Sequence, residues 1–390
     1  MKRLNVSLVL LAMVAVTTGC WSNREVHDIT YPSAIGVDYQ DGDYIVYLQI
    51  LDFSSVAKLE GQQKKTEAPV WVGKGAGKSF TEAANRLYRT SQQLVTWGHV
   101  EAIVFSESML RDNRYQEVLE LVNRYREIRY LIWAFSTKEP IDELFNVIPF
   151  FRLSPKSSIL NNPEEIYRQR SLIRPIRLYQ FIMLMKEKAL AAYLPCLTIN
   201  RDQWMESGRN HSLLEYNGLD LFQSQRYMGQ MKVTDLEGLP WMREDTVRMP
   251  LPIGEEDKPA AVLVLENPNI KIKPDVQGDR AYFDVTVSVK AQINEQHQEL
   301  TERELVQLAG QKIEEQIRST YRKAYERNVD IYNLGESLFR RNPATFHRLT
   351  DGNRFILHQD ALRNVKVTVR LSSTGRYKFQ PGMSDSGTNP

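Results

Sequence analysis

The sequence predicts a multi-domain α+β or mixed α/β protein, made of mixed β-sheets flanked by helices, with a long helix covering the C-terminal sheet. Three observations carry that prediction. In the first half, apolar segments of period two alternate with segments of helical period. Further on, Asp284 to Ile293 alternates strictly. Val285, Val287, Val289, Ala291 and Ile293 fall on one side, and Asp284, Thr286, Ser288, Lys290 and Gln292 on the other, as in a half-buried strand of an antiparallel sheet. Thr301 to Arg327 then carries an apolar stripe of Leu305, Leu308, Ala309, Ile313, Ile317, Tyr321 and Ala324. With 390 residues, the chain exceeds the roughly 250–300 residues at which a single core stops growing.

The N-terminal elements follow in order. Lys2 and Arg3 precede an unbroken apolar run from Leu8 to Val16, then Thr17, Thr18, Gly19 and Cys20. This is the layout of an export signal, and the run falls short of the roughly 20 residues that span a bilayer. Small residues directly before Cys20 resemble a bacterial lipobox, with Thr17 standing where leucine is usual. Cys20 is therefore the expected site of lipidation, and the modification supplies more than one acyl chain, as stable anchoring requires. Ile35 to Tyr39 and Tyr44 to Leu51 read as strands joined by Gln40-Asp41-Gly42-Asp43, where Asp-Gly supplies a hairpin turn. Val56 to Ala68 reads as a loop and Val70-Trp71-Val72 as a short strand. Ser79 to Gln92 reads as a helix with Phe80, Ala83, Ala84, Leu87 and Tyr88 on one face. Glu101 to Phe105 and Tyr130 to Phe135 read as strands, with a helix marked by Tyr115, Val118, Leu119, Val122 and Tyr125 between them.

Residues 152–188 are more basic than their surroundings and include Arg168, Arg174 and Arg177. They read as a solvated face, with anionic headgroups as the alternative. Val365, Val367, Val369 and Leu371 alternate again. The expected division is a signal peptide over 1–19, a mixed α/β domain over 20–200, and a middle segment or small domain over 201–259. An α+β domain follows over 260–375, and a disordered tail over 376–390.

Composition excludes several functions. Lys and Arg number 50 against 48 Asp and Glu, with no basic domain of the kind that marks nucleic-acid binding. The six histidines show no metal-ligand spacing, so no metal or cofactor is expected. The two cysteines, Cys20 and Cys196, cannot make a disulfide framework once Cys20 is acylated. Cys196 reads as a small buried hydrophobe. Gly73-Lys74-Gly75-Ala76-Gly77-Lys78-Ser79 tempts as a phosphate loop, but that pattern needs four residues between its first Gly and the Gly-Lys pair. Val72 stands at that position, and the segment reads as a flexible turn into a helix. No nucleophile elbow and no zinc-protease motif occur. Glu164-Glu165 and Glu255-Glu256-Asp257 are adjacent carboxylates on loops, not a pair across a cleft.

Several segments, taken in order, resemble the Ger(x)C family of spore germination lipoproteins. They are Gly19-Cys20-Trp21, Arg24-Glu25-Val26, Ile35 to Asp38, Gly77 to Ala83, Gly98-His99-Val100-Glu101, Asn328 to Glu336, and Arg340-Arg341-Asn342-Pro343. Ser22-Asn23 stand where the family usually has an acidic residue. The resemblance implies a three-domain mixed α/β lipoprotein without catalytic residues, the C subunit of a nutrient germinant receptor. Such a subunit works beside two polytopic membrane subunits on the spore's inner membrane. Beside the resemblance, Gly36 within a strand marks close approach or a bulge. Asn342 and Pro343 mark a helix start, and His99 reads as a structural histidine. The expected partner contact lies around Gly98 and His99 and the basic stretch that includes Arg174 and Arg177. The alternative function is a lipid-anchored solute-binding protein with a ligand between two lobes. An anchored hydrolase would need a cleft with paired, perturbed carboxylates.

Overall fold

The computed structural model describes residues 29–51, 69–124, 127–255, 257–350 and 356–372. Cys20 and the signal segment, the loop over Val56 to Ala68, Tyr125 and the C-terminal tail lie outside the described residues. The first half contains β1 (Ile29–Thr30), β2 (Pro32–Gln40), β3 (Asp43–Leu51), β4 (Val70–Gly77), α1 (Phe80–Tyr88), β5 (Leu94–Val95), β6 (Ala102–Ser106), α2 (Glu107–Arg111) and α3 (Tyr115–Arg124). It continues with β7 (Trp133–Thr137), α4 (Ile141–Phe145), α5 (Glu164–Gln169), β8 (Ile176–Arg177), α6 (Leu178–Lys186) and β9 (Ala192–Asn200). After these come β10 (Met205–Glu206), β11 (Arg209–Asn210), β12 (Leu213–Gln223), β13 (Arg226–Lys232), β14 (Met249–Glu255), β15 (Lys258–Gln277) and β16 (Arg280–Gln296). The last elements are α7 (Glu302–Tyr325), α8 (Leu334–Arg341), α9 (Pro343–Leu349) and β17 (Leu362–Leu371).

The first sheet runs β13-β12-β9-β7-β6-β2-β3-β4, with β8 attached to β7. Its centre is parallel: β2 with β6, β6 with β7, and β7 with β9. Antiparallel hairpins flank that centre on both sides. The β2–β3 hairpin turns where Asp41 and Gly42 both take positive φ, 52° and 82°, as a two-residue type I′ turn demands. Both faces of this sheet are covered. One packs on Phe80, Tyr115, Val118 and Phe181, the other on Ile141, Leu144, Phe145 and Leu160. Burial on both faces explains why β2 and β3 are nearly continuous apolar runs.

One sequence reading is corrected here. Gly73 to Gly77 is no flexible turn; it completes edge strand β4, paired with β3 from Tyr44 to Leu51. A Cβ placed on Gly75 would sit 2.2 Å from the Ala83 carbonyl oxygen. The glycines therefore let α1 lie directly on the strand, and Ser79 caps that helix by accepting from the Glu82 N–H. At Gly36 a Cβ would meet Ile141 at 2.3 Å, so α4 makes the expected close approach there.

Within the stretch over 201–259, β10 and β11 pair only with each other, and the other strands divide between two larger sheets. β12 and β13 extend the first sheet from β9, and β14 opens the second, whose order is β14-β15-β16-β17. In β16, Val285, Val287, Val289 and Ala291 are buried while Thr286 and Lys290 are exposed. The antiparallel expectation holds against β15 and fails against β17, which runs parallel to β16. The connection between them carries α7, α8 and α9 among its described residues, and parallel pairing needs such a crossover. Helix α7 covers the sheet with Leu305, Ala309, Ile313, Ile317, Tyr321 and Ala324. Leu308, assigned to that stripe in the sequence, is 37% exposed and lies off it. Thr301 and Glu304 form a reciprocal capping box at the start of α7. Asn342 caps α9 through the Thr345 N–H, with Pro343 in its first turn. The second core is continuous with Leu219, Leu221 and Met231 of β12 and β13.

Candidate interaction surface

The parallel strands β2, β6 and β7 begin side by side, Ala34 opposite Ala102 and Ala102 opposite Trp133. The described chain enters at this end of the sheet. β1 pairs with β5 through Ile29 with Leu94 and Thr30 with Val95. A single 3₁₀ turn, Trp97–His99, follows. Trp97 is buried and donates its indole N–H to the Tyr88 hydroxyl at 2.8 Å. The His99 ring meets the Tyr31 ring edge-on at 4.5 Å between centroids, the packing of a structural histidine. Gly98 lies in open space: apart from its chain neighbours, a Cβ placed on it would meet only Thr96 Cγ2, at 3.9 Å.

Arg177 stands at the same end because β8 pairs with the start of β7, Trp133 opposite Arg177. Its guanidinium lies 3.2 Å from the Trp133 ring centroid and donates to the Leu131 carbonyl at 2.6 Å. Burial draws the group below its ordinary pKa, opposed by the charge of Glu164. Arg177 is thus a bracket between β7 and α6, whose backbone N–H also donates to Gln180. Next to it, Leu131 is 63% exposed, and Leu94, on β5 beside β1, is 50% exposed. Tyr130 and Tyr179 are also exposed, linked by a backbone bond from the Tyr179 N–H to the Tyr130 carbonyl. Lys156 pairs with Glu101 at 3.4 Å.

The structure therefore brings Gly98, His99 and Arg177 to one end of the first sheet, and sets Arg174 apart. Arg174 pairs with Asp245 at 2.8 Å and lines a cavity toward the second sheet. Sequence reasoning missed Leu131 by extending the β7 strand over the whole apolar run from Tyr130. The strand begins at Trp133; Ile132 before it is buried, and Tyr130 and Leu131 are left in solvent. It also missed the stacking partner of Arg177, which lies 44 positions away in the chain and leaves no local signal.

No group of three His, Cys, Asp or Glu residues is placed to hold a metal among the described residues. Cys196 is fully buried on β9, and burial pushes its thiol well above the ordinary range, so it carries no nucleophilic thiolate. No described helix is long and apolar enough to cross a membrane.

Comparison with known proteins agrees with this architecture. Residues 22–199 match a family described as "Spore germination protein N-terminal domain", and residues 217–375 one described as "Spore germination B3/ GerAC like, C-terminal". Among curated proteins, the chain is similar to spore germination protein KC of Bacillus subtilis (strain 168), 22% identical over 363 residues, covering 88% of this chain and 89% of that protein. It is also similar to the putative spore germination protein YfkR of the same organism, 23% identical over 241 residues, covering 60% and 59%. Among solved structures, the crystal structure of the GerBC protein shares the fold, with a TM-score of 0.54 and 14% identity, covering 87% of this chain and 97% of that one. Two family matches that together account for most of the chain make it a member of the GerAC family of spore germination proteins, whose members are non-catalytic and associated with germination receptors.

Proposed function

We propose that this chain is the lipid-anchored subunit of a nutrient germinant receptor. Acyl chains on Cys20 hold it at the outer face of the spore's inner membrane, where it assembles with polytopic membrane subunits. The observation that carries the reading is where the chain enters the fold. Ile29 lies nine positions after Cys20 (29 − 20 = 9), a reach of at most about 3.6 Å per residue, or about 30 Å. The end of the first sheet that bears Leu94, Gly98, His99, Leu131 and Arg177 is therefore tethered within that distance of the bilayer. Exposed Leu131 and Leu94 beside Tyr130 and Tyr179 suit a protein partner whose own surface is apolar near the membrane. Tethering raises the effective concentration of membrane partners, so modest contacts suffice for assembly.

The test is a deletion strain complemented with variants. Cys20→Ser releases the folded protein from the membrane fraction or blocks its processing. Leu131→Asp and Gly98→Asp weaken the nutrient-triggered germination response at unchanged protein level. If Cys20→Ser protein is processed and withstands a salt wash in the membrane fraction, the anchor is misassigned. Full complementation by both surface variants would remove the proposed contact face. If deletion leaves every nutrient response intact, the receptor reading itself fails.

A further inference from the structure

Two turns of the first unit carry an exposed apolar cluster. Phe150, Phe151 and Leu153 lie between α4 and α5, and Trp204 and Met205 at the β10–β11 hairpin that follows β9. Phe151 is 74% exposed, Met205 70% and Trp204 48%. Phe150 joins the two segments. Its ring meets the Trp204 ring edge-on at 4.8 Å and stacks on the His211 ring at 6.1 Å. His211 Nε2 lies 3.1 Å from the Ile148 carbonyl oxygen, and the His211 backbone N–H donates to the Trp204 carbonyl at 2.8 Å. Arg152 pairs with Glu206 across the same junction at 3.8 Å. The cluster is therefore one connected surface and not a scatter of single exposed side chains.

Backbone geometry and charge both bear on what this surface meets. Phe151 and Arg152 take the left-handed conformation in succession, φ 57° and 55°, which is unfavourable for bulky L residues. Ser207 and Gly208, φ 50° and 82°, close the hairpin between Glu206 and Arg209. Side chains presented from the tips of two tight turns suit a fluid apolar phase, which needs no shape match, better than the close complementarity of a protein interface. Trp, Phe and Leu beside basic residues make up segments that lie in a membrane interface. Residues 150–156 and 200–211 hold Arg152, Lys156, Arg201 and Arg209 against Asp202 and Glu206, an excess of the sign that anionic headgroups attract. Lys156 pairs with Glu101 at 3.4 Å, and the Glu101 N–H donates to the Ser33 carbonyl at 2.8 Å, at the end of the sheet where the chain enters. Phe151 lies five positions before Lys156 (156 − 151 = 5), at most about 18 Å of extended chain. The stretch from Cys20 to Ile29 reaches about 30 Å, so an anchor on Cys20 leaves the cluster free to meet the bilayer.

We infer that the turn over 150–153 and the tip of the β10–β11 hairpin dip into the bilayer that carries the anchor. Phe151, Leu153, Trp204 and Met205 enter its apolar boundary, and Arg152 and Arg209 stay at the level of the headgroups. The inference rests on the lipid-anchored reading and adds a second contact to it, one that fixes how the first unit is turned toward the membrane.

The experiment places the mature lipidated chain in phosphatidylcholine vesicles that contain phosphatidylglycerol. Cys196 is fully buried and Cys20 is acylated, so a nitroxide attached to Met205→Cys reports on the hairpin tip alone. The same label on Thr286→Cys, exposed on the second sheet, is the control. The Met205→Cys label should lose its collisions with a water-soluble nickel chelate and keep those with oxygen, while the Thr286→Cys label keeps both. Adding Phe151→Asp, with the fold checked by circular dichroism, should return the Met205→Cys label to water; Leu153→Asp carries the same test if that variant does not fold. A Met205→Cys label that stays aqueous overturns the inference, as does equal shielding of the Thr286→Cys label. Shielding that survives the aspartate overturns it too, since the anchor alone would then set the depth. A label aqueous in these vesicles and shielded only in membranes that hold the other receptor subunits assigns the surface to a protein, and overturns it as well. Flotation with the vesicles reads the anchor separately. Protein that floats with an aqueous label keeps the anchor and loses this contact, and protein that does not float overturns both.

Discussion

Asp330 offers a quantitative test of how the C-terminal unit is held together. It is 4% exposed. Its two carboxylate oxygens accept from the Leu334 N–H at 2.9 Å and the Gly335 N–H at 2.6 Å, closing the first turn of α8. Burial pushes the carboxyl from 3.8 up to about 6, against the pull of those two donors. The folded state thus binds the proton more tightly than the unfolded chain. Protonation stabilises the fold below pH 3.8, and that stability is lost as pH rises through about 6. At about 1.36 kcal/mol per pH unit the whole effect is about 3 kcal/mol, of which about 2 kcal/mol falls between about pH 4.5 and 7.5. Asp330→Asn removes the titration. A carboxamide accepts through one oxygen only and leaves one of the two backbone N–H groups without an acceptor, so the variant starts about 1–3 kcal/mol below the wild type near pH 4.5. The variant should then gain on the wild type by about 2 kcal/mol as pH rises to about 7.5. The assay is urea unfolding of both proteins at several pH values, followed by tryptophan fluorescence. Taking the difference cancels every other titrating group. Parallel curves would refute the assignment of a raised carboxyl to Asp330.

Three further tests address the fold and the surface. Val287→Asp should cost about 3 kcal/mol or more by burying a charge without a partner, whereas exposed Thr286→Asp should stay within about 0.5 kcal/mol; equal melting temperatures would contradict the facing of β16. Gly75→Ala should lose about 1–3 kcal/mol, because its Cβ meets the backbone of α1 and not a movable side chain, while Gly98→Ala should melt with the wild type; limited proteolysis near α1 reads the difference. Arg177→Leu should destabilise the first unit by about 1–3 kcal/mol through loss of the Leu131 bond and the Trp133 stacking. Arg174→Gln should cost about 1 kcal/mol or less, since its ion pair is exposed. If the two arginine variants melt alike, Arg177 is not the bracket described above.

Local chemistry accounts for what was legible in advance. The β2–β3 hairpin follows from Asp41-Gly42, the buried face of β16 from its alternation, and α7 and α9 from stripe and cap. Each of these signals is spaced within a few residues. The glycine-rich β4 was misread for the complementary reason: a strand of alternating glycines has no side chains from which to read a period, and its cause, the backbone of α1, comes later in the chain. The surface was half legible. Gly98, His99 and Arg177 fall at one end of the first sheet, and the two arginines singled out in the basic stretch are not free charges. Arg177 is spent on Trp133 and Leu131, and Arg174 on Asp245.

The sequence by itself determined the class of fold, the paired strands and covering helix, the family, and the expectation of an anchor at Cys20, because each rests on local periodicity or on ordered motifs. Only the tertiary structure decided that β12 and β13 join the first sheet, that β17 runs parallel to β16, and that the chain enters at the end bearing Gly98 and Arg177. Sheet order depends on which distant segments meet, and that is settled by burying apolar faces against one another across the whole chain.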